Sequence, residues 1–137
     1  MTPLDAPLAG SLVVDGANVV GSRPDGWWRD RAGAATRLAR RLDALAADQS
    51  RLRVTLVVEG QARETDAAAA PAITIVRAVG SGDAALVEVV TRLVADGEGP
   101  VVAVTSDREL AARVHTVGAT VHGASWLWDL LDETSAR

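Results

Sequence analysis

The segment SLVVDGAN, residues 11–18, decides the fold, because in it a short apolar run leads directly into an acid and a glycine. The run at 11–14 is β-rich and almost wholly apolar, which is typical of a strand buried within a sheet. Gly16 permits a tight turn directly after Asp15. The segment therefore predicts a buried strand that presents Asp15 at its carboxyl end.

The remainder of the chain alternates between similar apolar runs and amphipathic segments. Further strands are predicted at 54–58, 73–76, 101–104 and 120–121. Helices are predicted at 29–47, 82–95, 107–117 and 125–132, with a loop at 19–26 and a loop or short helix at 60–71. Near-continuous Val/Ile strands that alternate with helices predict an α/β fold, in which a parallel sheet is covered on both faces.

Length and composition indicate one intracellular domain. The 137 residues suit a single domain, predicted at 11–133 between flexible ends at 1–10 and 134–137. The absence of cysteine excludes disulfides and thiolate metal sites. No signal peptide and no membrane-length apolar stretch is found, so we expect a soluble, cytoplasmic protein.

The charge is distributed unevenly although the formal net charge is -4. Residues 23–53 contain eight arginines and four acids, whereas the rest of the chain contains six arginines and fourteen acids. A basic segment beside an acidic remainder is expected of a small nuclease with an acidic centre. A solvated helix face is the simpler interpretation of the charge taken alone.

Acidic residues follow the first four predicted strands. They are Asp15, Glu59, Asp83 and Asp107. In an open parallel sheet, ligands bind beyond the carboxyl ends of the strands, so these side chains are expected to gather at one edge. Gathered acids repel one another unless they are protonated or bound to a cation. A hard divalent ion such as Mg²⁺ or Mn²⁺ is the natural partner of all-oxygen ligands.

Each of these acids also has a purely structural interpretation. Asp83 could cap its helix, and Glu59 could face water or pair with Arg63. Asp107 is harder to explain in this way, because Ser106 and Glu109 have the Ser-x-x-Glu spacing of a capping box. That box predicts that Ser106 caps the helix and leaves Asp107 free to coordinate a metal.

Several polar residues near these strand ends are candidates for phosphate contacts. Asn18 could cap a helix or reach a scissile phosphate or metal-bound water, and the amides around Ser81 could face a phosphate. The basic candidates are Arg23, Arg29, Arg31 and Arg108. Surface salt bridges with nearby acids are the alternative for each of these arginines.

With these motifs in order, the sequence resembles the NYN domain family of PIN-like ribonucleases, and within it the YacP-like branch. The resemblance spans about residues 11–131. It rests on VVDGANV at 13–19, GWWRDR at 26–31, GSGD at 80–83, VTSDREL at 104–110, VGA at 117–119 and the closing Trp126-Leu127. Each motif alone is weak, but the ordered set is fairly specific.

The resemblance implies a PIN-like three-layer α/β/α fold with strand order 3-2-1-4-5 and a metal-dependent ribonuclease. Asp15, Asn18, Asp83 and Asp107 match the family motifs directly, whereas relatives tend to carry aspartate in place of Glu59. The implied cofactor is Mg²⁺ or Mn²⁺, and the implied partner is RNA, expected to be single-stranded. Whether the protein forms a homo-oligomer is left open by the sequence.

Ala84 departs from the family pattern, since relatives commonly have a second acid after Gly-Asp. This departure leaves a second hypothesis open, a weakly active or inactive RNA-binding module on the same fold. A third hypothesis is a phosphatase of another α/β class. The Asp-x-Asp pattern of one such class is missing, because Ala17 stands where its second acid would be.

Overall fold

The sheet is built around β1 (Gly10–Asp15), in a computed structural model that describes residues 9–135. β1 pairs in parallel with β2 (Leu52–Val58) on one side and with β4 (Val101–Val104) on the other. β3 (Thr74–Arg77) and β5 (Thr120–His122) complete a parallel sheet of order β3-β2-β1-β4-β5. The predicted strand order is therefore confirmed.

Within residues 9–135, five α-helices cover the two faces of this sheet. One face carries α1 (Gly16–Gly21), α2 (Arg31–Asp48) and α5 (Ala124–Ser135). The other face carries α3 (Gly82–Asp96) and α4 (Arg108–Thr116). The molecule thus has three layers, α/β/α, as the sequence predicts.

Alternate residues of β1 explain why its sequence is apolar at consecutive positions. Leu12 and Val14 pack into the core beneath α2 and α5, whereas Val13 packs into the core beneath α3 and α4. Each of the three side chains is at most 2% exposed. Burying an aliphatic side chain of this size stabilises a fold by about 1.5–3 kcal/mol. Both faces of the central strand therefore contribute to the stability of the sheet.

The first helix differs from the prediction of a loop at 19–26. α1 follows β1 without a break, and the loop begins only at Ser22. Asp15 makes this possible, because its carboxylate accepts a hydrogen bond from the Asn18 N–H and caps the helix. The segment 60–71 contains two short 3₁₀ helices, Gly60–Glu64 and Ala67–Ala69, which agrees with a loop or short helix there.

The ordered elements extend slightly past the predicted limits of the domain, since β1 includes Gly10 and α5 ends at Ser135. The predicted flexible ends otherwise fall on 1–8 and 136–137, which lie outside the described residues. Across residues 9–135, no helix combines the length and the apolar character needed to cross a membrane.

A cluster around Trp128 fastens α5 to the loop after α1 and to α2. The Trp128 Nε1–H donates to Ser22 Oγ at 2.8 Å, and the Arg23 guanidinium lies 4.0 Å from the centre of the indole ring. Asp132 accepts from Arg23 at 3.3 Å and from Arg41 at 2.8 Å. Chiefly because of the Arg41 hydrogen bond, the pKa of Asp132 is lower than is usual for aspartate.

Asp132→Asn is expected to destabilise the protein by less than about 1 kcal/mol at neutral pH. The effect is small because the Asp132 side chain, which pairs with Arg23 and Arg41, is about half exposed to solvent. Because the pKa of Asp132 is lowered in the folded protein, its negative charge stabilises the fold fully above the ordinary pKa of aspartate. This stabilisation is lost as the pH falls through the folded-state pKa. The variant and the wild type should therefore converge in acid when denaturant unfolding is followed against pH. Asp129→Asn, on the same helix, is the matched control, and a constant difference at every pH would contradict the prediction.

Candidate active site

The predicted strand-end acids lie around one edge of the sheet. Asp15 ends β1, Glu59 directly follows β2, and Asp107 lies just before α4. Asp83 occupies the first turn of α3. Burial raises the pKa of Asp83, and the charges of Asp107 and Glu59 raise it further. The Asp83 carboxylate therefore lies within electrostatic reach of both Asp107 and Glu59.

Asp15 is the most enclosed of the four, with only 8% of its surface exposed. Its Oδ2 accepts a hydrogen bond from Thr105 Oγ1 at 2.9 Å, and its Oδ1 accepts from the Asn18 N–H at 3.3 Å. Burial raises the pKa of Asp15, and the charges of Asp83 and Glu59 add to this, although the two hydrogen bonds oppose it. A nearby cation would therefore stabilise the charged form of the Asp15 carboxylate.

Thr105 is a site residue to which sequence reasoning assigned no role. It is 2% exposed, and its hydroxyl donates to Asp15 while it accepts from the Asp107 N–H at 3.2 Å. One hydroxyl group therefore connects the acid after β1 to the acid before α4. The available signal was a polar residue directly after an apolar strand, since buried hydroxyls are almost always hydrogen-bonded.

Thr105→Val is expected to destabilise the protein by about 1–3 kcal/mol, because it removes the hydroxyl donor from a buried carboxylate. It should also raise the pKa of Asp15 further, so that divalent-ion binding requires a higher pH. The measurements are denaturant unfolding and the pH dependence of Mn²⁺ binding. Thr105→Ser keeps the hydroxyl and should behave like the wild type. A shift of the pH profile by both variants, or by neither, would contradict the role given to the hydroxyl.

Asn18 serves first as a structural link in this site. Its Oδ1 accepts a hydrogen bond from the Ser106 N–H at 2.8 Å, which joins α1 to the loop after β4. The predicted contact of Asn18 with phosphate or water would therefore be made by its amide nitrogen.

The prediction that Ser106 caps α4 is wrong. Asp107 is the cap, because its Oδ1 accepts from the Leu110 N–H at 3.1 Å and α4 begins only at Arg108. Ser106 Oγ instead accepts from the Ala124 N–H at the start of α5, at 2.9 Å. The capping-box spacing failed because a contact distant in sequence engages the serine. Asp107 is therefore already partly engaged within the protein.

Neither the Asp83 cap nor the pair of Glu59 with Arg63 is found in the described residues. Ser81 caps α3, with its Oγ accepting from the Asp83 N–H at 3.1 Å and from the Ala84 N–H at 3.4 Å. Glu59 accepts from the Gly82 N–H at 3.1 Å, and no salt bridge within residues 9–135 joins it to Arg63. A Cβ at Gly82 would lie 2.7 Å from Glu59 Oε1, so glycine permits this approach.

The predicted arginines fall in different places. Arg108 is exposed at the start of α4, beside Asp107. Arg29 and Arg31 line a cavity next to the start of α2. Arg23 belongs to the Trp128 cluster, where it pairs with Asp132 on α5.

The acids provide only oxygen donors, which suits Mg²⁺ or Mn²⁺ by chemistry. Within residues 9–135, no three His or acidic side chains lie close enough to share one ion in the present rotamers. Glu59 and Asp107 each have one carboxylate oxygen engaged by a backbone N–H, and both oxygens of Asp15 are engaged. Because the acids lie too far apart at present, joint ligation of one ion would involve movement of these side chains.

The sheet order and the three layers define an α/β fold with a parallel sheet, of the kind that the resemblance to PIN-like proteins implies. Two solved structures with this architecture are of Rae1 (YacP) from Bacillus subtilis, one of them a mutant form. The mutant has a TM-score of 0.72 and 18% identity, covering 93% of this chain and 78% of that chain. The other has a TM-score of 0.70 and 18% identity, covering 92% and 75%. No family model matches, and neither does any curated protein. At this identity the similarity shows the fold.

Proposed function

We propose that this chain is a metal-dependent endoribonuclease that hydrolyses phosphodiester bonds of RNA at the strand-end acids. The observation that carries the proposal is the nearly buried Asp15 carboxylate, on which the charges of Asp83 and Glu59 act, with the Asp107 charge acting in turn on Asp83. Hydrogen bonds from backbone N–H groups hold Asp15, Glu59 and Asp107 at this edge, although repulsion between the carboxylates opposes the arrangement. A bound divalent cation would relieve that repulsion.

The resemblance of the sequence to the YacP-like branch of the NYN family supports RNA as the substrate class. The solved structures that share the fold carry the same name, YacP, although their sequences are only 18% identical to this one. Motif order and backbone architecture therefore point to the same group of proteins. Cytoplasmic location, the single-stranded form of the RNA and a homo-oligomeric state stay predictions.

Each residue of the site has a proposed task. Asp15, Asp83 and Asp107 would hold Mg²⁺ or Mn²⁺, with Glu59 assisting. When bound, such an ion supplies an activated water and neutralises charge on the phosphoryl group. Thr105 keeps the Asp15 carboxylate in one orientation, and the Asn18 amide nitrogen is placed to orient water or substrate.

Ala84 favours a second candidate function, an RNA-binding module with little or no turnover. It is exposed in the first turn of α3, directly after Asp83, where an acid would add a ligand to the site. Ala84→Asp would restore the pattern of the relatives. If the second candidate is right, this variant should gain cleavage over the wild type.

Incubation of the protein with end-labelled single-stranded RNA, in Mn²⁺ or in EDTA, tests the proposal. We expect internal cleavage in Mn²⁺ and none in EDTA. Cleavage that survives EDTA would overturn metal dependence. Binding without cleavage would favour the second candidate, and release of phosphate from small monoesters would favour a phosphatase.

A further inference from the structure

A basic cavity of about 670 Å³ lies at the start of α2, between the segment before that helix and the connection from β2 to β3. Its charged lining consists of Arg29, Asp30, Arg31, Arg63, Glu64 and Arg77. Four arginines thus face two acids, in a chain whose net charge is negative. Two of these arginines, Arg63 and Arg77, lie outside the basic segment at 23–53.

The cavity is held in shape by hydrogen bonds of its own lining residues. The Arg77 guanidinium donates to the carbonyl oxygens of Arg63 and Thr65, which fixes the segment that presents the Arg63 side chain. Asp30 is engaged as the cap of α2, since its Oδ1 accepts from the Gly33 N–H at 2.9 Å. One of the two acids is therefore already used within the protein.

The other three arginines are available to a ligand. Arg29, Arg31 and Arg63 are exposed, and none of them takes part in a salt bridge within residues 9–135. Guanidinium groups bind phosphate oxygens through paired N–H donors, which makes arginine well suited to a phosphate backbone. The excess positive charge of the cavity is thus presented to solvent.

A second cavity, of about 360 Å³, joins the basic cavity to the acidic site. Gly16, Ala17 and Glu59 line its acidic end, and Arg31 and Gly60 line both cavities. Trp27 also lines the connecting cavity, and the Arg31 guanidinium lies 5.3 Å from the centre of its indole ring. A groove therefore runs from the residue next to Asp15, past an aromatic ring, to the arginines.

We propose that the arginine cavity is a phosphate-binding subsite that holds single-stranded RNA on one side of the scissile bond. The backbone would lie against Arg29 and Arg63, and a base would stack at Trp27 in the connecting cavity. Stacking on an aromatic ring needs an unpaired base and tolerates any sequence. This inference rests on the proposed function for the identity of the ligand, and it assigns roles to Arg63 and Trp27 that the acidic site does not require.

The test compares two double variants with the same change in charge. Arg29→Ala/Arg63→Ala removes two arginines from the cavity, whereas Arg40→Ala/Arg92→Ala removes two exposed arginines from α2 and α3. Binding of a labelled single-stranded RNA is measured in EDTA over a range of salt concentrations. The cavity variant should bind about tenfold more weakly. The slope of log K against log salt should become shallower by about 1.4, for two lost phosphate contacts on a single strand.

The outcomes separate the subsite from the nuclease proposal. Equal slopes for both double variants would overturn the subsite, and cleavage by the wild type in Mn²⁺ would still support the nuclease. A shallower slope for the cavity variant alone would support the subsite even if no cleavage occurs. An RNA duplex that competes as well as the single strand would overturn the assignment to single-stranded RNA, and so would absence of wild-type binding at low salt.

Discussion

Gly16→Ala is expected to destabilise the protein by about 1–3 kcal/mol, because a side chain is forced into a fully packed position. A Cβ at this position would lie 2.6 Å from the Val57 carbonyl oxygen and 3.3 Å from Leu56 Cδ1. The carbonyl belongs to β2, which is paired with β1 along its length, so it cannot move aside without disturbing the sheet. The displacement would also move Asp15, and the acidic site should be lost with it.

Gly21→Ala is the matched control at the other end of the same helix. There the new Cβ would meet only the Trp27 ring, at an ordinary distance of 3.7 Å. Relative to alanine, glycine within a helix is unfavourable by roughly 0.5–1 kcal/mol, so this variant should be neutral or slightly stabilised. Denaturant unfolding measures both variants. Equal stability of the two would show that the approach of β2 does not restrict position 16.

Asp15→Asn is expected to lower the rate of RNA cleavage by about 10²–10³-fold or more, because it removes a charged group that holds the cation. The fold should survive. The raised pKa of Asp15 means that its charged form is unfavourable in the folded protein. The protonated form therefore stabilises the fold at low pH, and this stabilisation is lost as the pH rises through the raised pKa. Asparagine avoids that charge at neutral pH.

Single-turnover cleavage with saturating Mn²⁺ measures this effect, together with unfolding of the same samples. Asp132→Asn makes the same chemical change in the Trp128 cluster on α5 and should retain the wild-type rate. If Asp15→Asn cleaved RNA as fast as Asp132→Asn does, Asp15 would have no part in the reaction.

The fold was largely predictable because its signals are local. The strand at 101–104 was predicted to the residue, and α3 and β5 to within one residue at either end, since apolar runs and helical periodicity are visible in short windows. α1 was missed because this helix is only six residues long, which is too short to show a helical period. Its start depends on the Asp15 cap, and the sequence pattern indicated only a metal ligand there.

The positions of the strand-end acids were predictable, but their hydrogen bonds were not. Parallel strands end at one edge, so an acid after each strand predicts a cluster. The bond between Thr105 and Asp15 joins residues 90 positions apart, and the bond that engages Ser106 depends on the start of α5. Local spacing contains no information about such contacts.

The surroundings of the arginines were also only partly predictable from local sequence. Arg29 and Arg31 were predicted from their closeness to the first motif, and they do line a basic cavity. Arg63 lies in the connection between β2 and β3, and Arg77 ends β3, so no local pattern connects either of them to α2. Arg23 is near the motif in sequence, but α5 supplies Asp132 as its partner.

Titration of the metal-free protein with Mn²⁺, followed by electron paramagnetic resonance of the free ion, tests most directly whether the strand-end acids form one cation site. We expect the wild type and Asp132→Asn to bind Mn²⁺ equally, and Asp15→Asn and Asp83→Asn each to lose that binding. Loss in both would show that acids from β1 and α3 act on one ion. Unchanged Mn²⁺ binding by Asp15→Asn and Asp83→Asn would contradict a shared metal site at this edge of the sheet.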